Sequence, residues 1–265
     1  MTLEAFNVAF PAISSPLRSY LLRMTTSVAD TEDLLQDTYL KASEKLESFR
    51  GESSLKTWVF SIASNLAKDN LRLQKRWPEN VTDIARASVM SDRQFYEESV
   101  SILTTSPQAQ FEIKEHIAFC FTCISKSLPL EQQLAIFLKE VYEFKIGEIA
   151  TILETTEPMV KYYLHTGRTK MIDIFDNRCA LINKEGICHQ CSELNGFYNP
   201  KQNAQEELVK IELVKQAETA DKERLLDLRL HILQELDPFT SKAADLQLHH
   251  LEYNRRLMED YIEKS

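Results

Sequence analysis

The stretch from Asp30 to Arg76 decides the fold, and it reads DTEDLLQDTYLKASEKLESFRGESSLKTWVFSIASNLAKDNLRLQKR. Its first part places acids beside an apolar stripe that includes Leu34 and Tyr39, and its last part carries six Lys or Arg against only two acids. This order predicts an acidic helix, a polar turn with aromatics and a basic helix. An acidic face beside an apolar stripe is also typical of an ordinary solvated helix, and that alternative stays open.

The basic part predicts an amphipathic helix with a buried stripe. Its apolar residues recur at helical spacing, and its cations fall outside that stripe. Cations at the end of a helix also complement the helix dipole, which is a purely structural explanation for them. Single-stranded nucleic acid is held by aromatic stacking and by cations along the backbone. Phe49, Trp58 and Phe60 could supply such stacking, although core packing explains Trp58 and Phe60 equally well.

The run FRGESSLKTWVFSIASNLAKDNLR, Phe49 to Arg72, resembles region 2 of the bacterial extracytoplasmic-function (ECF) sigma factors. Members of that family bind core RNA polymerase and melt the −10 promoter element. The resemblance implies that the acidic helix docks on the coiled coil of the largest polymerase subunit through Asp33, Gln36 and Asp37. It also implies that the turn captures a flipped base, at a cost of about a few kcal/mol that pocket contacts offset. The −10 contacts expected from this part are Phe49, Arg50, Ser53, Lys56, Trp58, Asn65, Lys68 and Arg72.

A helix-turn-helix pattern follows between Ser127 and Phe175. Three apolar periodic stretches are separated by short breaks in SLPLEQQLAIFLKEVYEFKIGEIATILETTEPMVKYYLHTGRTKMIDIF. The first helix of the motif has its apolar residues at 146, 149, 150 and 153, and the turn covers 154–157. Pro158 stands early in the second helix, where its missing N–H is tolerated, and Thr156 is the expected cap.

The outer face of that second helix is basic. No acid lies between Pro158 and Met171, although the whole chain has a net charge of −9. Affinity for duplex DNA arises from neutralising phosphates, so this face is a candidate DNA contact, with a plain solvated face as the alternative. The stretch resembles region 4 of the same family, which reads the −35 element. Tyr and Thr stand where many relatives carry Arg, which predicts fewer bidentate base contacts. The expected contacts here are Lys161, Tyr162, His165 and Arg168.

Composition predicts an all-α protein. The 265 residues contain only five Gly and are 43% hydrophobic, enough for two or three small cores. We expect region 2 at residues 1–77, a linker at 78–112 between Pro78 and Pro107, region 4 at 113–177 and a helical extension at 178–265. No stretch approaches the roughly 20 apolar residues of a membrane helix and no leader is evident, so we expect a cytoplasmic protein without membrane insertion.

The extension begins with a cysteine cluster. Cys179, Cys188 and Cys191 include a C-x-x-C step after Gly186, which is a good geometry for a tetrahedral ion and makes zinc a candidate cofactor. The fourth ligand stays open between a histidine, a carboxylate and water, and reduced half-buried thiols are the alternative. Cys120 and Cys123 also have C-x-x-C spacing, but they lie in an apolar helical stretch and are expected in the core.

The remaining extension reads as amphipathic helices from Ala204 to about Asp237 and from Ala243 to Ile262. The simpler interpretation is a small helical domain. The more specific one is a fused regulator of the kind that replaces a separate anti-sigma factor in some relatives. We therefore expect a non-enzymatic initiation factor that needs no cofactor, with core RNA polymerase and promoter DNA as partners and an anti-sigma factor as a candidate partner. The alternative is a helix-turn-helix operator-binding regulator that acts without polymerase. An enzyme is disfavoured because no phosphate loop, metal-binding His pair or nucleophile motif is present.

Overall fold

A computed structural model of the protein describes residues 1–72, 74–105 and 111–264. In that part of the chain the backbone forms helices and no strand, as the composition predicts; two cysteines make an isolated bridge. The α-helices are α1 (Leu3–Thr25), α2 (Val28–Glu44), α3 (Leu55–Leu71), α4 (Val81–Val89), α5 (Arg93–Thr105), α6 (Ile113–Ser125), α7 (Leu130–Ile136), α8 (Ile146–Leu153), α9 (Glu157–Arg178), α10 (Gln190–Tyr198), α11 (Ala204–Val209), α12 (Glu212–Lys215), α13 (Lys222–Glu235) and α14 (Ala244–Glu263).

The chain divides into two compact units that are interleaved in sequence. Unit 1 consists of Met1–Arg76 and Leu128–Gly167, and unit 2 consists of Trp77–Ser127 and Arg168–Ser265. Helix α9 therefore begins in unit 1 and ends in unit 2. The predicted domain boundaries at 77, 112 and 177 stay a prediction.

Unit 1 is built on the three-helix packing of α1, α2 and α3. The fully buried Tyr20 and Phe60 pack with ring centroids 5.3 Å apart, and the Tyr20 hydroxyl lies 2.9 Å from the Ser64 hydroxyl. Burial raises the pKa of Tyr20 well above its usual value, so the phenol stays protonated in this core. Full burial of a large apolar side chain stabilises the folded state by about 1.5–3 kcal/mol.

The helix-turn-helix motif of unit 1 is α8 followed by α9. The expected stripe is buried at Ile149, Ala150 and Leu153, and Ile146 is half-buried. Helix α9 begins at Glu157, directly after the expected cap Thr156. Helices α9 and α7 approach closely at Gly167, where a Cβ would stand 2.8 Å from the Ile136 Cδ1 atom, so a larger residue would require the Ile136 side chain to shift.

Unit 2 centres on α6, which packs against α4, α10, α13 and α14. Glu115 of α6 is buried and accepts hydrogen bonds from the Ala243 N–H and the Ser241 hydroxyl at the start of α14. Burial raises the pKa of Glu115, while these hydrogen bonds oppose that rise. The extension is thus joined to the element that precedes the helix-turn-helix motif.

The segment expected to be a linker contains two helices, α4 and α5. Val81, Ala85 and Phe95 are buried, so these helices carry a real apolar side. Pro107, the expected end of the linker, lies outside the described residues. None of the described helices is long and apolar enough to cross a bilayer.

Candidate nucleic-acid interface

The expected polymerase-docking face is an exposed acidic surface on α2. Thr31, Leu34, Thr38 and Ala42 point into unit 1, which leaves the expected docking residues on the solvent side. The three residues Asp33, Gln36 and Asp37 are all exposed. Their spacing of three and four places them on one side of the helix. The geometry is compatible with docking, and the role of these residues stays a prediction.

The turn before α3 brings the expected base-binding residues together. Phe49 and Trp58 are both half-buried, with ring centroids 5.2 Å apart. Gly51 has a φ of 76°, a left-handed conformation that glycine adopts at little cost. Arg50 is exposed and Ser53 is half-buried beside this ring pair. Phe60, by contrast, is fully buried, so the core explanation is the correct one for that ring.

The outer side of α3 is covered by the helix-turn-helix motif within unit 1. The Asn65 amide donates to the Glu154 carboxylate at 2.6 Å, and the Lys68 ammonium donates to the Leu153 carbonyl at 3.4 Å. Burial lowers the pKa of Lys68, with Glu154 acting in the opposite direction. Expected −10 contacts are therefore engaged by residues that end α8.

The start of α3 is also in contact with α8 and with the residues just before it. The Lys56 ammonium donates to the Tyr142 carbonyl at 3.3 Å and stands 4.7 Å from the Phe144 ring centroid. The Thr57 hydroxyl donates to the Glu148 carboxylate at 3.0 Å. Arg72, at the far end of α3, is exposed and lies 3.8 Å from Asp69. The covered side of α3 thus runs from Lys56 to Lys68.

The outer face of α9 is exposed at its start and engaged further along. Lys161, Tyr162 and His165 are exposed. Within unit 2, the Arg168 guanidinium lies 2.7 Å from Asp227 and 3.0 Å from Glu223, both on α13, and its side chain is only 20% exposed. Carboxylates of the extension thus form ion pairs with a cation that was expected to contact DNA.

Two further cations at the end of α9 are paired in unit 2. Lys170 lies 2.5 Å from Glu79, and Arg178 forms an ion pair with Asp83. Lys222 of α13 reaches back to Asp176 at 2.6 Å. The later part of α9 is therefore paired with an acid from the segment before α4, with an acid on α4 and with a cation of α13.

The expected cysteine cluster forms one local structure. The Ala180 N–H donates to the Cys188 carbonyl, and the Cys188 N–H donates to the Arg178 carbonyl, which brings Cys179 and Cys188 side by side. Gly186 has backbone atoms of residues 179, 180 and 183 at 2.8 Å from where a Cβ would stand, so only glycine fits this tight turn.

Two parts of the chain match models of known protein families. The model of Sigma-70 region 2 matches residues 12–76, and the model of Sigma-70 region 4 matches residues 119–171. An ECF RNA polymerase sigma-E factor of Haemophilus influenzae is 30% identical over 152 residues, which are 57% of this chain and 77% of that protein. The chain belongs to the ECF sigma factor family.

Two further sigma factors are similar to part of this chain. ECF RNA polymerase sigma factor SigG of Mycobacterium tuberculosis is 30% identical over 176 residues, or 61% of this chain. The match spans about half, 47%, of the length of SigG. A co-crystal structure of the sigma factor RpoE with the anti-sigma factor NepR from Bartonella quintana is 19% identical and overlaps with a TM-score of 0.44, over 66% of this chain and 98% of that one. That overlap is too small to compare how elements are arranged.

Sequence reasoning missed the acids that engage the ECF sigma surfaces. Glu148, Glu154, Glu223 and Asp227 are single carboxylates on helices or at helix ends, and nothing in their local sequence distinguishes them from solvated charges. Their partners are 55 to 91 residues away in the chain. Helix α13 carries as many Lys and Arg as Asp and Glu, so its overall charge gave no signal either.

In this ECF sigma factor Cys120, which was expected in the core, is half-buried. The thiols of Cys179, Cys188 and Cys191 are among the groups that influence its pKa. Burial, followed by these neighbouring thiols, raises the pKa of Cys120 well above the usual value. Cys123 is buried as expected, with the Asn254 amide directed at its sulfur. Among residues 1–72, 74–105 and 111–264, no three His, Cys, Asp or Glu side chains form a metal-binding group, so zinc lacks geometric support.

Proposed function

We propose that the protein is a sigma factor that binds core RNA polymerase, recognises promoter DNA and promotes strand opening, without chemistry of its own. Its place of action would be the cytoplasm. The observation that carries this proposal is the pair of family matches at residues 12–76 and 119–171, in the order of regions 2 and 4. An operator-binding regulator is disfavoured because it has no use for region 2.

The free protein would be in a closed form. Asn65 and Lys68 are engaged by Glu154 and Leu153, so their polar atoms are not available to a −10 strand in this arrangement. Polymerase binding would have to separate α3 from α8 to expose them. A partner shifts such an equilibrium only by its difference in affinity for the two forms, at about 1.4 kcal/mol for each tenfold.

The extension would add a second level of regulation. Glu223 and Asp227 on α13 bind Arg168, a candidate −35 contact. The fused extension would thereby perform the task of a separate anti-sigma factor, and a free anti-sigma factor remains a candidate partner. The simple packing of a helical domain does not require carboxylates at this cation.

The docking face gives the direct test of polymerase binding. Asp33→Lys combined with Asp37→Lys should weaken capture by immobilised core polymerase at least tenfold while the circular dichroism spectrum stays unchanged, because opposite charge is placed on an exposed helix face. The control is Glu185→Lys with Glu206→Lys, two exposed acids of the extension with the same change of charge. Equal capture of both double variants would remove this docking face.

Zinc binding stays a separate proposal, and no cofactor is proposed for the sigma activity itself. The ligands would be Cys179, Cys188 and Cys191, and the fourth would be a histidine, a carboxylate or water. Three thiolates with one such ligand suit a tetrahedral zinc ion. Protein purified under reducing conditions should then contain one zinc per chain by mass spectrometry, and Cys188→Ser should lose it. Zinc-free wild-type protein that is still fully folded would contradict the proposal.

A further inference from the structure

Unit 2 contains a cavity that the sigma activity does not explain. It lies between α4, α5, α6, α10 and α14, so the two helices of the expected linker, the first helix of region 4 and the extension all contribute to it. Its volume is about 610 Å³. Small-molecule sites in proteins typically have volumes of about 300–1,000 Å³ and are concave and mostly apolar.

The wall of the cavity is rich in aromatic residues. Much of its apolar surface comes from rings and one aliphatic group on α5, α6 and α10, namely Phe95, Tyr96, Phe119, Leu194, Phe197 and Tyr198. Tyr96 and Phe197 meet edge to face with centroids 5.1 Å apart, and Phe197 and Tyr198 do so at 4.9 Å. Rings held in this way offer both faces and edges to a flat ligand.

The cations of the wall are already paired with carboxylates. Arg86 makes two hydrogen bonds to the Glu193 carboxylate, at 2.6 and 2.8 Å. Arg93 pairs with Glu97 at 2.8 Å, and Asp92 accepts the Phe95 N–H. Because these cations have their own carboxylates, the wall favours a neutral ligand over an anion.

One residue that lines the cavity, His116, carries a buried polar atom without a hydrogen-bond partner. His116 is only 1% exposed, and its Nδ1 has no hydrogen-bond partner. Gln190 bonds the other side of the ring, and the Gln190 amide nitrogen donates to the Thr82 carbonyl. We assign the proton to Nε2, donated to the Gln190 oxygen, which leaves Nδ1 as an acceptor.

The His116 ring is neutral at physiological pH. Burial lowers its pKa to about 4, and the hydrogen bond with Gln190 only partly opposes that fall. A neutral imidazole with an unpaired acceptor in an apolar wall is costly unless something donates to it. A ligand hydroxyl or N–H would remove that cost.

We propose that this cavity binds a small, neutral, ring-containing molecule that donates one hydrogen bond to His116 Nδ1, with a phenol-like hydroxyl as the simplest donor. Aromatic stacking supplies affinity, and the single acceptor supplies orientation. Occupancy would stabilise unit 2, because the wall is shared by elements from before and after the helix-turn-helix motif. The proposal concerns binding alone and does not depend on the sigma activity.

A pair of matched probes tests it on the full-length protein. The probes are 2-naphthol and 2-methoxynaphthalene, which share a ring system and differ in the ability to donate. Calorimetric titration should show micromolar binding of 2-naphthol, about fivefold to tenfold tighter than binding of the methoxy compound. Absence of binding by both probes, or equal affinity for the two, would overturn the proposal.

Variants locate the site. Leu194→Trp should fill the cavity and abolish binding of both probes, whereas His116→Leu should weaken only 2-naphthol and bring the two affinities together. Val8→Trp, at an exposed position in unit 1, is the matched control and should bind both probes as the wild type does. Each variant is first checked by thermal melting. Unchanged 2-naphthol binding by folded Leu194→Trp would place the probe elsewhere and refute this site.

Discussion

In unit 1, Glu154 makes one of the contacts that cover α3. It ends α8 with a φ of 54°, a conformation that costs a residue other than glycine about 1 kcal/mol. Its carboxylate accepts the hydrogen bond of the Asn65 amide. The strained backbone and the contact with α3 thus belong to the same residue, and a glycine would remove both at once.

Glu154→Gly should therefore stabilise the turn and at the same time loosen the cover on α3. We expect the melting temperature to stay equal or rise, and binding to a random-sequence pool of single-stranded DNA to strengthen about threefold to fivefold, since one hydrogen bond that competes with DNA is lost. Fluorescence anisotropy measures that affinity.

The chain offers a matched control for this change. Glu143 is also exposed and has a φ of 61°, and Glu143→Gly makes the same changes in strain and charge without touching the contact with Asn65. It should raise stability and leave DNA binding as it is. An equal increase in DNA binding by both variants would mean that charge, and not the Asn65 contact, is responsible.

For individual residues, the sequence indicated which side chains are candidate contacts, but not whether other residues of the chain cover them. The exposure of Asp33, Gln36 and Asp37 follows from helical periodicity, since each lies off the apolar stripe. The cover over Asn65 and the environment of Cys120 depend on residues more than 50 positions away, and no local pattern predicts such pairs.

Among the elements, the contact between α9 and α13 is the basis of the proposed regulation by the extension. Arg168 is held by two carboxylates, and exposed ion pairs of this kind contribute about 0–1 kcal/mol each. A single pair would therefore modulate DNA binding only slightly. Two carboxylates on one partly buried cation give a larger and measurable effect.

Glu223→Ala combined with Asp227→Ala should release Arg168 and strengthen binding to random-sequence duplex DNA roughly threefold to tenfold at low salt. The gain should shrink as salt rises, because phosphate contacts are screened. Glu218→Ala is the control, since Glu218 pairs with the exposed Lys184 away from α9. A double variant that binds duplex DNA no better than this control would refute the regulatory contact.

Element prediction succeeded where periodicity was strong. Helices α3, α8, α9, α13 and α14 fall where the apolar stripes predict them. The two helices of the segment before region 4 were not predicted, because α4 and α5 each bury only two or three residues. They pack on each other, on α6 and on α14 of the extension, and no local window contains these long-range partners.

The whole molecule has units that do not follow the chain order. Residues 77–127 and the extension form unit 2 together, so buried residues of α6 such as Phe121 and Ile124 share a core with Leu226 and Leu230 of α13. The family order of regions predicted the elements of the chain. Each unit combines two separate segments of the chain. This division depends on long-range packing and was not predicted.

A chain stopped after Asn177 should therefore be damaged beyond the loss of a regulator. Removal of α10 to α14 would expose the apolar side of α6, so we expect dye binding typical of exposed apolar surface, less helix than the same residues have in the full-length protein, and rapid proteolysis between α4 and α6. Circular dichroism and limited proteolysis measure this. A fragment as protease-resistant as the intact protein would show that residues 77–127 fold without the extension.

The central claim is that the chain directs core RNA polymerase to promoters, and run-off transcription tests it most directly. Full-length protein is added to core polymerase on a library of promoter DNA, with the Asp33→Lys and Asp37→Lys double variant beside it. The account predicts promoter-specific transcripts that depend on the wild-type chain and are lost with the variant. Duplex binding without any transcript would contradict it and favour an operator-binding regulator.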